Sequence, residues 1–260
     1  MLSVVVKQDK YYSQEIHWLL EEKYHGVMGD MAQADIARIK QGEPIAYVIG
    51  FVDFLGCKID LSQHPLIPRP ETEFWVEQAI QDMGKHNVST KIKCLDIFAG
   101  SGCIGVAVLK HIPSATVDFV DCDSEVIEQI AINCKLNGIS DSRRQIIKSD
   151  MFEGVDGSYN YIFANPPYIA ENKKDNVQEF VLTHEPHKAL FGGPDGLVYI
   201  ETFLDQAKGY LSDNGKIYME FDVHQKDKIE KILIDKDFRD FNFYHDQFGR
   251  WRYVVLSLPG

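Results

Sequence analysis

After Pro68-Arg69-Pro70 the chain alternates between strand-like and helix-like segments, and this alternation restricts its fold more than any other feature. Glu71 to Met83 has helical apolar spacing, Ile92 to Phe98 reads as a strand, Cys103 to His111 as a helix, Thr116 to Asp121 as a strand and Glu125 to Asn137 as a helix. Strands are predicted again at Gln145 to Lys148 and Tyr159 to Ala164, before a long loop from Ala170 to Pro194. A helix over Leu197 to Leu211, a strand over Gly215 to Phe221, a helix over Val223 to Asp235 and a strand over Trp251 to Leu258 complete the pattern. Strands joined through helices run parallel, because a tight hairpin cannot connect them, so the expected fold class is α/β.

The part before this alternation differs. Ile16, Leu19 and Leu20 share one helical face, and Met31, Ala34, Ile36 and Ile39 suggest a second short helix, stopped by Gly42-Glu43-Pro44. Ala46 to Phe51 and Cys57 to Leu61 are β-rich runs around Gly56 and predict a hairpin. The expected organisation is a small helical domain over 1–44, a β-hairpin linker over 45–70 and an α/β domain over 71–260.

Composition narrows the function classes. A net charge of −12 argues against a broad nucleic-acid surface, which needs clustered Lys and Arg, and favours a small molecule or a basic protein partner. Five cysteines, with no CxxC and no Cys/His cluster at ligand spacing, read as reduced and structural, and no metal is expected. The closest histidine pair, His184 and His187, lacks companion ligands. No apolar run is long enough for a membrane span and the start does not read as a secretory signal, so the cytoplasm is the expected location.

Two segments carry chemistry. Cys94 to Phe98 leads into Ala99-Gly100-Ser101-Gly102, a glycine turn opening a helix, where backbone approach is close and the helix N-terminus favours electron-rich groups. Asp121, at the end of the next strand, is suited to accept hydrogen bonds from ribose hydroxyls. A nicotinamide dinucleotide and S-adenosylmethionine both fit such a turn, and Gly100-Ser101-Gly102-Cys103-Ile104-Gly105 even matches the dinucleotide hexapeptide by letters. The second segment favours S-adenosylmethionine. Asn165-Pro166-Pro167-Tyr168 follows the buried run Tyr161 to Ala164, and its prolines supply no N–H and fix their own φ. The result is a stiff loop presenting an amide and bare carbonyls to a flat, NH2-bearing group, which has no role in hydride transfer.

These residues resemble the class I S-adenosylmethionine methyltransferases, and in particular the HemK/PrmC-like protein-(glutamine-N5) methyltransferases that act on peptide-chain release factors. The resemblance runs from about residue 42 to 258 and rests on Gly42-Glu43-Pro44, Ile67-Pro68-Arg69-Pro70-Glu71-Thr72-Glu73, the glycine turn, Ser149-Asp150-Met151-Phe152, Asn165-Pro166-Pro167-Tyr168 and Ala189-Leu190-Phe191-Gly192-Gly193-Pro194-Asp195-Gly196-Leu197. Glu220 and Gly249-Arg250-Trp251-Arg252 add to it late in the chain. It implies a Rossmann-like class I methyltransferase sheet, with Phe98, Ala99, Gly100, Ser101, Gly102, Asp121, Asp150, Met151 and Asn165 around the cofactor. The chain departs from the family at Phe98 and Phe221, where glycine is usual, and at Met151, where an aromatic or another apolar residue often sits.

The same resemblance implies that Asn165, Pro166, Pro167 and Tyr168 bind the substrate, with Asn165, Pro166 and Tyr168 catalytic. The Asn165 side-chain oxygen and the Pro166 carbonyl would each accept one N–H of the target amide, and Tyr168 would pack on its flat face. No tuned general base is expected. Arg69 and Glu71 either order a cofactor lid or pair with each other, and Glu185 and Asp195 order the long loop. The implied reaction is N5-methylation of the glutamine in the Gly-Gly-Gln motif of class I release factors, with a protein partner and no nucleic acid. The alternatives are a ribosomal-protein glutamine methyltransferase and an adenine-N6 methyltransferase on RNA or DNA, since Asn-Pro-Pro-Tyr also serves amino groups of adenine.

Overall fold

The computed structural model describes residues 2–85 and 91–257, so Leu258, expected in the final strand, lies outside the described residues. Helices α1 (Leu2–Tyr24) and α2 (Asp30–Lys40) pack with α3 (Ile45–Ile49) around the buried side chains of Leu19, Ile39 and Val48. The run Ala46 to Ile49 was expected to be strand and is helix. Pro44 starts it and Gly50, at φ 97°, stops it, while packing against α1 and α2 overrides the β preference of Tyr, Val and Ile.

The hairpin is therefore shorter than expected: β1 (Phe51–Phe54) and β2 (Cys57–Asp60) pair antiparallel across Leu55-Gly56. It is fastened to the larger unit through backbone N–H groups of Asp60 and Lys58, which donate to the Asn133 and Asn137 side chains at 2.7 and 3.1 Å.

From residue 70 the expected alternation is present. Helix α4 (Pro70–Met83) precedes β3 (Ile92–Ile97), α5 (Cys103–His111), β4 (Ala115–Asp121), α6 (Ser124–Leu136), β5 (Arg144–Lys148) and β6 (Tyr159–Ala164). The long loop is not structureless, since it contains α7 (Glu179–His184). Helix α8 (Val198–Ala207), β7 (Leu211–Glu220), α9 (Lys226–Asp235), β8 (Asp240–His245) and β9 (Trp251–Ser257) follow.

The large sheet has the order β5-β4-β3-β6-β7-β9-β8, parallel from β5 through β7, with β9 antiparallel to both β7 and β8. Strand β8 was not anticipated. Its Phe241 and Phe243 alternate with polar residues, but it is an edge strand behind the charged stretch Asp235 to Asp240.

Both faces of the central strands are covered. Trp75 and Val76 of α4, Val106 of α5 and Ile130 of α6 pack on one face with Cys94 and Val117, while Ile200 and Phe203 of α8 and Ile229 of α9 pack on the other with Leu95 and Ile217. The chain leaves β3 toward β4 and β5 on one side and returns to β6 on the other. A crevice therefore opens beyond the carboxyl ends of β3, β4 and β6, where such sheets bind ligands.

Candidate active site

That crevice is a cleft lined by Phe98 and Gly100 after β3, Asp121 at the end of β4, Asp150 and Met151 after β5, and Asn165 and Pro167 after β6. Asp121 has one N–H on each carboxylate oxygen, from Gly100 at 3.0 Å and Asp123 at 3.1 Å, which leaves each oxygen a lone pair. Burial raises the pKa of its carboxyl, with those two amides opposing the shift. Of the expected cofactor residues, Ala99, Ser101 and Gly102 do not line the cleft. Ala99 is buried behind it, the Ser101 carbonyl accepts from Asn133 Nδ2 at 2.9 Å, and a Cβ on Gly102 would meet Ile130 at 3.2 Å.

Phe98 explains its own departure from glycine. Its φ is 61°, the left-handed region that costs a side chain roughly 1–2 kcal/mol. The ring packs edge-on against Tyr199 and Phe203, with centroids 6.2 Å away in each case, and these contacts offset the strain. Met151 also has a positive φ, 44°.

Two straps roof the cleft, one at Leu66 and one at Pro186 to Ala189. Arg69 pairs with Glu185 rather than with Glu71: its Nη2 is 2.6 Å from Glu185 Oε1, while the backbone N–H of Ile67 donates to Oε2 at 3.2 Å. Lys188 reaches across the mouth to Asp123 in an ion pair.

A second cleft adjoins the first. Asn165, Leu66 and Ala189 line both, whereas Arg69, Pro166, Tyr168, Val177, Phe180 and Val181 line the second alone. Asn165 thus stands in the wall between two cavities. The Asn-Pro-Pro-Tyr backbone is braced from behind by the glycine-rich segment. A Cβ on Gly192 would come 2.3 Å from the Pro167 carbonyl oxygen, and one on Gly196 would come 2.2 Å from that of Tyr168. Gln225 Nε2 donates to the carbonyls of Tyr168 and Gly196, at 3.0 Å each, and locks the two segments together.

Comparison with known proteins fits this geometry. The methyltransferase small domain family matches residues 80–193. A release factor glutamine methyltransferase of Streptococcus pneumoniae is 36% identical over 219 residues, 83% of this chain and 75% of the relative. Its counterpart in Lactococcus lactis is 33% identical over 222 residues, 85% of this chain and 79% of the relative. The chain belongs to the release factor glutamine methyltransferase family. As a family member it is a methyltransferase, and its fold agrees with that of distant ones. The N-terminal domain of human METTL16, solved in complex with SAH, superposes with a TM-score of 0.55 at 15% identity, covering 78% of this chain and 76% of that one.

Several residues of the site were given no role from sequence. Leu66, Cys122, Asp123, Lys188 and Tyr199 line the first cleft, and Thr72 and Trp75 reach Glu220 beneath it. The signal available for Glu220 was an acid at the carboxyl end of a buried strand, the same signal that identified Asp121. Among the described residues no group of His, Cys, Asp and Glu could hold a metal, and no helix is long and apolar enough to cross a membrane.

Proposed function

We propose that this methyltransferase transfers a methyl group from S-adenosylmethionine to the side-chain N5 of a protein glutamine, that of the Gly-Gly-Gln motif in class I peptide-chain release factors. The observation that carries the reading is the position of Asn165, in the wall shared by two clefts at the carboxyl end of β6. The relatives' activity on release factors supports the choice of substrate.

The residues of the first cleft fit the cofactor. A Cβ on Gly100 would meet only the Phe98 carbonyl, 4.0 Å away, so the cleft runs open up to the backbone. Asp121 has free lone pairs for ribose hydroxyls, Asp150 and Met151 would flank the adenine, and Phe98 and Gly100 would line the methionine portion. S-adenosylmethionine bound there supplies an electrophilic methyl group.

The chain's own task is placement. An amide nitrogen is a poor nucleophile, and holding reactants in line contributes about 7–11 kcal/mol in favourable cases. Asn165 Oδ1 would accept one N–H of the target amide. The Pro166 carbonyl, which has no hydrogen-bond partner among the described residues, would accept the other. Both acceptors favour positive charge developing on that nitrogen, so no base is required before transfer. The methylated nitrogen then releases its proton to water. Tyr168, whose hydroxyl donates to Glu220 at 3.0 Å, keeps its ring at the second cleft beside the target amide.

The helices of residues 1–44 would grip the protein partner, the segment 45–70 would link them, and 71–260 would carry catalysis. The acidic balance suits a basic partner surface, and a release-factor substrate would be met in the cytoplasm. The test is incubation with labelled S-adenosylmethionine and, separately, purified release factor, ribosomal protein or RNA, with the modified residue mapped. Label on the release-factor glutamine, lost in Asn165→Ala while cofactor still binds, is the expected result. Label on RNA alone overturns the reading.

A further inference from the structure

Thr72, in the first turn of α4, and Glu220, the last residue of β7, meet beneath Asn165 although 148 positions separate them. Both are buried, at 2% and 1% exposure. Three donors converge on the Glu220 carboxylate: Thr72 Oγ1 and Trp75 Nε1 on Oε2, each at 2.7 Å, and the Tyr168 hydroxyl on Oε1 at 3.0 Å. An ionised carboxylate only accepts, and a threonine hydroxyl has a single hydrogen. That hydrogen is directed to Glu220, so toward Asn165 Thr72 presents lone pairs alone. Asn165 Nδ2 lies 3.5 Å from Thr72 Oγ1, a long contact but the only polarity that avoids facing two acceptors. With its NH2 turned to Thr72, the Asn165 amide presents Oδ1 on its other side.

We infer that Thr72 and Glu220 are positioning residues that fix which end of the Asn165 amide faces the target glutamine. The inference rests on the reading of Asn165 as the group that holds that glutamine. An amide rotated by half a turn would present NH2 to a substrate NH2, a pairing of two donors. The relay prevents this rotation without touching substrate or cofactor. Burial raises the Glu220 carboxyl, opposed by Trp75, Thr72, Arg252 and Tyr168, and the Trp75 indole, a donor only, keeps Oε2 an acceptor whichever state the carboxyl is in.

The experiment compares Thr72→Val, Thr72→Ser and Asn165→Ala in methyl transfer to purified release factor, with cofactor affinity measured by calorimetry. Thr72→Val is expected to lower kcat by about tenfold or more, the worth of one lost orienting hydrogen bond, with cofactor Kd and substrate KM little changed. Thr72→Ser, which keeps the hydroxyl, is expected to restore turnover. Thr72→Ala, free of the branched side chain's packing demands, should match Thr72→Val and replaces it if that protein does not fold. Wild-type kcat in Thr72→Val, or a Thr72→Ser defect as large as that of Thr72→Val, overturns the relay. If Asn165→Ala abolishes transfer while Thr72→Val does not, the relay fails and the reading of Asn165 stands. Full turnover by Asn165→Ala overturns both.

Discussion

Asp96 is the penultimate residue of β3, just before the glycine turn, and is fully buried. Its Oδ2 accepts the Gly105 N–H at 2.9 Å, while Oδ1 has no partner. Burial pushes its carboxyl from 3.8 up to about 8, against the opposing effect of the Gly105 amide and with a smaller upward contribution from Asp121. Because the folded value lies above the unfolded one, the native state holds a proton that the unfolded chain releases between those pH values. Stability from this group is fully present below pH 4 or so and is lost as pH rises through about 8. Each pH unit in that window removes about 1.4 kcal/mol, so going from pH 6 to pH 8 removes about 2 kcal/mol. Asp96→Asn keeps an oxygen for the Gly105 N–H and cannot ionise, so this decline should be absent. Urea unfolding of both proteins at pH 6, 7 and 8 measures it. Asp121 and Glu220, whose carboxyls burial also raises, titrate in both proteins, so the difference between them isolates Asp96. Equal loss of stability in wild type and variant over this range would refute the assignment.

Gly192→Ala would bring a Cβ to 2.3 Å from the Pro167 carbonyl oxygen, so the loop must move by about an ångström to restore van der Waals contact. A displacement of that size costs about 100-fold in kcat, and cofactor affinity, read by calorimetry, should change far less. Arg69→Ala removes the cation from the buried Glu185 carboxylate and leaves the two straps joined there by the Ile67 N–H alone. A charge-assisted bond is worth about 1.5–3 kcal/mol, so cofactor Kd should rise by about 10- to 100-fold, and an unchanged Kd would show that the straps do not need the pair.

The alternation of strands and helices, the glycine turn and Asp121 were legible because each is a local pattern: a period, a turn chemistry, an acid at a strand end. The same local reading misassigned Ala46 to Ile49, where β-preferring residues become one turn of helix because Leu19 and Ile39 need a third partner. It also missed β8, whose pairing with β9 is decided by a hairpin edge and not by its own sequence. Residues of the two clefts could be named separately, but the wall the clefts share could not, since it is made by strand order.

Thr72 and Glu220 show why the remainder was out of reach. Each stands in a segment that the sequence already singles out, but neither segment shows that the two meet, because the partner of each comes from the other end of the domain. Phe98 shows the converse. Its left-handed backbone accounts for glycine being usual at that position, yet a phenylalanine is retained here because α8 supplies Tyr199 and Phe203 for its ring. A motif departure of this kind therefore tests packing before it tests function: the turn keeps its shape, and the cost of the wrong side chain is met by a helix about 100 residues downstream.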